Sequence, residues 1–425
     1  MTRALALLPL LLACDPKSEA PPFDVAQSDL SREMAPDYSD AELSALVDGN
    51  TAFAFDIYHQ IAVGTDNTFL SPYSMSLALA MTWAGARGDT ETQLAEAMRF
   101  SLSQERLHPT FDGLDLWLYD RVDSATYVSD TPFELNIADS VWGQTDYPFE
   151  SDYLDTLALN YGASVYLLDF AADPEGARET INSWVEDQTK DRIKDLLSKG
   201  SVTADTRFVL TNAIYFKAAW GVPFEDDLTE DGDFTRLDGS TVSAPYMHRR
   251  DSLPLAEGDG FIALELPYDG DAYSMVAILP DEGRFSEIEA SLDGPGFQAI
   301  LETLAPSPVS LSLPKFHVES EFSLGTALQA LGATDAFSAA ADFTGISETG
   351  ELYISSVIHK SFISIDEEGT EAAAATAVVM DGTTDEEEPE YQDVAFNRSF
   401  LYAIIERDTG TVLFLGRTTD PSDGG

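Results

Sequence analysis

The sequence predicts an α+β fold, with helices gathered in the first half and strands in the second. Apolar residues recur at helical spacing up to about residue 200, and short strand-like runs dominate after it. No regular strand–helix alternation and no internal repeat occurs, which argues against a doubly wound sheet. The chain has 425 residues, with 44% hydrophobic and 11% aromatic residues, enough to build a sizeable core.

The chain opens with Met1-Thr2-Arg3 and an apolar run, Ala4 to Ala13, that ends at Cys14. One positive charge, a short apolar stretch and small residues near its end read as an export signal over 1–13. Leu11-Leu12-Ala13-Cys14 resembles the bacterial lipobox, in which cleavage before the cysteine leaves a lipidated terminus; an ordinary signal peptide is the alternative. Residues 14–40 are rich in Pro, Ser, Ala and acids without periodicity, and are expected to form a disordered tether. The expected location is outside the cytoplasm: anchored at a bacterial membrane or cell surface, or else extracellular.

A domain is expected over 41–421, followed by a tail, 422–425. Phe53, Ile57 and Ile61 place one apolar face on a helix over Asn50–Val63. Ser71-Pro72 precedes a second helical run, Ser74–Trp83, as a helix start does. Asp89–Phe100 and Pro174–Lys199 carry the same spacing, and Gly200 is the expected cap of the latter. Phe208–Phe216 is almost continuously apolar, as in a strand covered on both faces. Val309, Leu311 and Leu313 alternate as in a half-exposed strand. Phe400–Glu406 and Thr411–Gly416 flank Arg407-Asp408-Thr409-Gly410 as a hairpin.

Charge and composition exclude several functions. With 75 Asp+Glu against 23 Lys+Arg the net charge is −52, which repels a phosphate backbone, so no nucleic-acid partner is expected. Cys14 is the only cysteine, so neither a disulfide framework nor a cysteine-based zinc site is possible. No phosphate loop, nucleophile elbow, zinc-helix motif or dinucleotide fingerprint occurs. Asp408-Thr409-Gly410 matches the aspartic-protease tripeptide, but that chemistry needs a second copy. Asp227 to Asp238 imitates a calcium loop, yet Thr229 and Asp238 stand where stronger ligands are needed. No enzyme activity, metal or cofactor is expected.

One segment is chemically odd. Residues 366–380 are small and apolar after Asp366-Glu367-Glu368, and an acidic stretch with Gly and Pro follows directly, Asp381 to Glu390. As a strand, Thr370, Ala372, Ala374, Thr376, Val378 and Met380 would share one face, with Gly369 as a hinge. A helix or a low-complexity linker fits the alanines as well.

This segment resembles the hinge and reactive-centre loop of the serpins, inhibitors that trap serine proteases by loop insertion. Five further stretches follow in family order: Asn67–Gly88 with Ser71-Pro72-Tyr73-Ser74, Thr211–Lys217 leading to Trp220, Leu313-Pro314-Lys315-Phe316, Val357-Ile358-His359-Lys360 and Asn397-Arg398-Ser399-Phe400. The resemblance implies three β-sheets, about nine helices and an exposed reactive loop within 366–393. It implies a hinge of Glu367, Gly369, Thr370, Ala372, Ala373, Ala374 and Ala375, and a polar cluster of Ser74, Asn212 and His359 beneath strands that part. It also implies an entry point at Trp220 and Lys315, the lysine paired with Glu367. The family's usual spacing puts the scissile bond at Thr383–Thr384; a shorter count puts it at Met380–Asp381. The implied partner is a serine protease held covalently by a monomeric inhibitor. The alternatives are a non-inhibitory serpin acting as a carrier, chaperone or binding module, and an unrelated enzyme. Ala372 to Ala375 lack the bulky, charged or proline residues that would obstruct insertion.

Overall fold

The computed structural model describes residues 23–124, 129, 133–349, 352–370 and 389–422. Nine α-helices surround two hydrogen-bonded strand networks among these residues. The first is a seven-stranded sheet whose strands we number β1 (Asp24–Ala26), β2 (Glu134–Gln144), β3 (Val165–Leu168), β4 (Phe208–Ala219), β5 (Phe316–Ser323), β6 (Val357–Ile365) and β7 (Gly369–Thr370). Their order across the sheet is β1-β3-β2-β4-β7-β6-β5. The second network has nine strands, and the 18-residue strand Thr241–Gly258 pairs with three of them. That long strand joins into one ladder what the sequence resemblance expects as two sheets.

The helix Pro72–Trp83 lies inside the molecule, buried at all twelve positions, so it has no polar face to pattern. Ser71 caps it by accepting from the Ser74 amide at 3.3 Å, and Pro72 occupies a first-turn position where no intrahelical donor is needed. β4 is apolar almost throughout because both of its faces are covered. Leu210, Ile214 and Phe216 face the main core, while Val209 and Ala213 belong to smaller clusters with Ile181 and Val185 of the helix Pro174–Gln188. The hairpin Phe400–Glu406 to Val412–Thr418 is present, and the Glu406 carboxylate accepts from the Thr409 amide at 2.8 Å within its turn. The would-be calcium spacing runs through a short helical turn and the strand Glu230–Thr235.

Two expectations need correction. The helix expected over Pro174–Lys199 ends at Gln188, not at Gly200. Lys190, Asp191 and Asp195 take positive φ, and this irregular stretch turns Ile193 and Leu196 onto Ala213 of β4. The second correction concerns the expected tether. Residues 24–26 form β1, antiparallel to β3 at the edge of the main sheet. Phe23 packs against Trp142 and Tyr166 at 5.1 and 5.0 Å between ring centroids. Arg32 donates to Asp112 at 2.6 Å and Asp115 at 2.7 Å, and Tyr38 lies where a Cβ on Gly113 would stand 2.0 Å away. The composition looked unstructured because these residues contribute a few anchors to a surface built by distant parts of the chain. Cys14 and the rest of residues 1–22 lie outside the described residues.

Candidate functional site

β4 and β6 are the two strands between which the structure holds Gly369 and Thr370, two residues of the expected hinge. They run parallel and pair directly from Leu210–Ala213 to Val357–Lys360. Nearer the opposite end, β7 separates them: Gly369 pairs with Ala219, and Thr370 pairs with both Ala218 and Ile365, antiparallel on each side. Part of a segment expected to stand exposed is therefore buried, Thr370 being 1% exposed. Glycine is required at 369, where φ is 156° and a Cβ would lie 2.1 Å from the Ala218 carbonyl oxygen. Thr370 faces the core, and its hydroxyl meets that of Tyr268 at 2.7 Å.

The turn that feeds this strand is held at several points. Asp366 accepts from the Glu368 and Gly369 amides at 3.0 and 3.1 Å. Trp220 donates its indole N–H to the Asp366 carbonyl at 3.0 Å and its amide to the Glu368 carbonyl at 2.8 Å. Its ring stacks on Tyr268, 4.7 Å between centroids and 6° from parallel. Lys315 and Glu367, paired in expectation, meet at 2.6 Å, and Thr229 donates to the other carboxylate oxygen at 2.7 Å. Burial opposes the charge on Glu367, but these hydrogen bonds outweigh it and hold the carboxyl below its ordinary range.

Where β4 and β6 still pair directly, Ser74, Asn212 and His359 come together. Asn212 lies opposite His359 on β6 and opposite Asp139 on β2, so three strands contribute to one row. The His359 Nε2 accepts from the Ser71 amide at 3.1 Å, so Nδ1 carries the proton and donates to the Asn212 Oδ1. The Asn212 amide nitrogen donates to Ser74 and to Asp139, the latter at 2.6 Å, and Ser74 also donates to Asp139 at 2.9 Å. Burial pushes His359 down to about 3 and the Asp139 carboxyl well above its usual range. Asp139 was not anticipated. In a chain with 75 acids nothing local marks one that a sheet register will bury.

This row stitches together strands that must separate if another is to enter, while the far end of the same sheet already admits two residues. The sequence profile described as "Serpin (serine protease inhibitor)" matches residues 48–421. The chain belongs to the serpin family. Among relatives of this serpin, a serpin-like protein of Thermococcus kodakarensis is 38% identical over 379 residues, covering 89% of this chain and 86% of the relative. Human leukocyte elastase inhibitor is 35% identical, covering 89% of this chain and 100% of its own. The solved structure of human thyroxine-binding globulin superposes with a TM-score of 0.78 at 29% identity, covering 90% of this serpin and all of the globulin. Ala372 to Ala375 and both candidate bonds, Thr383–Thr384 and Met380–Asp381, lie outside the described residues.

Proposed function

We propose that this serpin inhibits serine endopeptidases as a suicide substrate. The observation that carries the reading is β7, a hinge strand paired on both sides between β4 and β6 in the sense a longer inserted strand would follow. The protease serine attacks the carbonyl of Thr383, or of Met380 in the shorter register. The peptide bond breaks, the new amine leaves with a proton, and an ester joins inhibitor to protease. Insertion of Glu371 and the residues after it between β4 and β6 then carries the protease away before water cleaves the ester. A strand of about 14 residues spans roughly 46 Å, enough to cross the sheet. All catalytic groups in this scheme belong to the protease.

The target class follows from the loop. Residues 371–393 contain no Lys or Arg, so a trypsin-type pocket would keep its buried carboxylate unpaired. Proteases of elastase, subtilisin or chymotrypsin type fit instead. The acids at 385–388 and 390 either steer a basic protease or merely solvate the loop. We assign Cys14 as a lipid anchor that places a monomeric inhibitor outside the cytoplasm, an assignment that fails if Cys14→Ser leaves the chain in the membrane fraction.

Thr370→Arg tests the mechanism. Thr370 is already paired at the entry end, so a guanidinium there would be buried without a partner and would expel the strand that a longer insertion must extend. The variant should be cleaved by subtilisin without forming a detergent-stable adduct. An adduct at the parent's stoichiometry would refute insertion. A second reading, a non-inhibitory binder, takes its support from the likeness to thyroxine-binding globulin, and predicts no adduct from the parent chain either.

A further inference from the structure

A cavity of about 650 Å³ opens beside β7, a volume that suits a small organic ligand. Its walls are the loop after Trp220, the long strand Thr241–Gly258, residues 267–272, and Arg121 from the last turn of the helix Gln104–Ser124. Two of the lining residues are bonded to β7 or to its partner. Tyr268 meets the Thr370 hydroxyl at 2.7 Å, and the Asp269 amide donates at 2.8 Å to the carbonyl of Ala219, which pairs with Gly369.

Both cations of the cavity keep donors unspent. Arg249 is buried, its side chain 6% exposed. Its guanidinium lies over the Phe224 ring at 5.3 Å, donates to the Val222 carbonyl and reaches Asp251 at 3.1 Å, while its Nε has no partner. Burial pulls Arg249 below the ordinary arginine range, and Asp251 offsets only part of that. Arg121 contacts Asp408 at 2.9 Å and lies 3.4 Å from Glu406, whose carboxylate already accepts from the Thr409 amide and hydroxyl. The Arg121 Nε has no hydrogen-bond partner either. Incompletely paired guanidiniums away from water favour an incoming acceptor.

The carboxylates that line the cavity are engaged. Asp251 serves Arg249 and the Ser252 amide, Asp269 accepts from the Ser129 amide at 2.7 Å, and Asp271 pairs with Arg407. They still limit the charge that can enter. Asp251, Asp269 and Asp271 together repel a dianion, whereas a single carboxylate matches an underpaired arginine. Val222, Pro254 and Pro267 add an apolar wall, Val222 being 51% exposed.

We propose that this cavity binds a small monocarboxylate with an apolar tail, taken up by Arg121 and Arg249, and that its occupancy braces β7. A ligand that binds only while Tyr268 stays in place stabilises the paired strand by linkage. Phe224, the ring that Arg249 covers, donates its amide to the Glu367 carbonyl at 2.8 Å and so ties the same cation to the turn before β7. Neither the binding nor its effect on β7 requires that the serpin trap proteases, so both are measured on the chain alone.

The probe is octanoate, titrated calorimetrically into the full chain at about 150 mM salt, where a Debye length of about 8 Å screens the net charge of −52. One octanoate per chain should bind about tenfold more tightly than 1-octanol, which keeps the tail without the charge. Inorganic phosphate should not displace it. Arg249→Met and Arg121→Met should each weaken binding about tenfold. Arg121, with its side chain 27% exposed, keeps the test decisive if the buried substitution disturbs folding. Val222→Trp should fill the cavity and abolish binding with both arginines in place. At ten times the dissociation constant, hydrogen exchange at Gly369 and Thr370 should slow about tenfold, with β2 and β5 unaffected. No binding of octanoate, equal affinity for octanol, displacement by phosphate, or full affinity in Arg121→Met or Val222→Trp overturns the carboxylate site. Binding that leaves exchange at 369 and 370 unaltered overturns the bracing of β7.

Discussion

The hydroxyls of Tyr268 and Thr370 meet at 2.7 Å inside the core, and through this contact the short strand Gly369–Thr370 is tied to the body of the molecule. Tyr268 also carries the stacked indole of Trp220, which holds the turn before the hinge. One aromatic residue thus supports both the strand and the turn that starts it.

Tyr268→Phe should loosen the hinge without disturbing the stack. The substitution leaves the buried Thr370 hydroxyl without that partner, at a cost of about 1 kcal/mol, or roughly fivefold in the opening equilibrium. Hydrogen exchange at Gly369 and Thr370 should accelerate by about that factor, with β2 and β5 unaffected. Unchanged protection would mean that the main-chain pairing to Ala218 and Ala219 suffices.

His359 makes stability depend on pH with a definite sign. Its ordinary value is 6.5, and in the fold it is about 3, so between these values the unfolded chain binds more protons. Its contribution is complete above about pH 6.5 and is lost as pH falls toward 3, at up to about 1.4 kcal/mol per pH unit. His108, also held near 3 by burial, acts in the same direction. Asp139 and Asp112, raised by burial, act in the opposite direction: the fold keeps their protons as pH rises above the ordinary carboxyl range. His359→Gln should therefore flatten the acid limb of a denaturation series between about pH 4 and 7, whatever it costs at neutral pH. An unaltered slope would show that His359 does not supply it.

Arg32 is the cation that two carboxylates of the helix Gln104–Ser124 share. Burial pushes Asp112 up to about 6 even though Arg32 opposes the shift, and it raises Asp115 as well. Arg32→Met keeps the apolar stem and removes the charge, and should cost about 3 kcal/mol at neutral pH. The loss should shrink below about pH 5, where a protonated Asp112 no longer needs a cation. Unfolding midpoints of parent and variant at the two pH values check this; an equal loss at both would assign the effect to packing.

Much of the fold was legible because its signals are local. The buried helix at Pro72, the continuous apolar β4 and the terminal hairpin each declare themselves over a short stretch of chain, through a cap, an unbroken apolar run and turn chemistry. The segment after Asp366 stood out by composition, small and apolar beside an acidic stretch, but composition left strand, helix and linker open, and its reading as a hinge came from the family resemblance.

What only the tertiary structure decided depends on register between segments far apart in the chain. Sequence alone allowed a strand from Thr370 after a glycine at 369, with helix and linker open; that 369–370 are already paired between β4 and β6 required the positions of Ala218, Ala219 and Ile365. Asp139 looks like any other acid until the pairing of β2 with β4 sets it beside Asn212. Residues 23–38 read as a solvated linker because their partners, Trp142, Tyr166, Asp112 and Asp115, lie 80 to 143 positions away. Local pattern reports which conformation a segment tolerates, whereas burial and pairing depend on which distant surfaces the completed sheet brings within hydrogen-bonding distance.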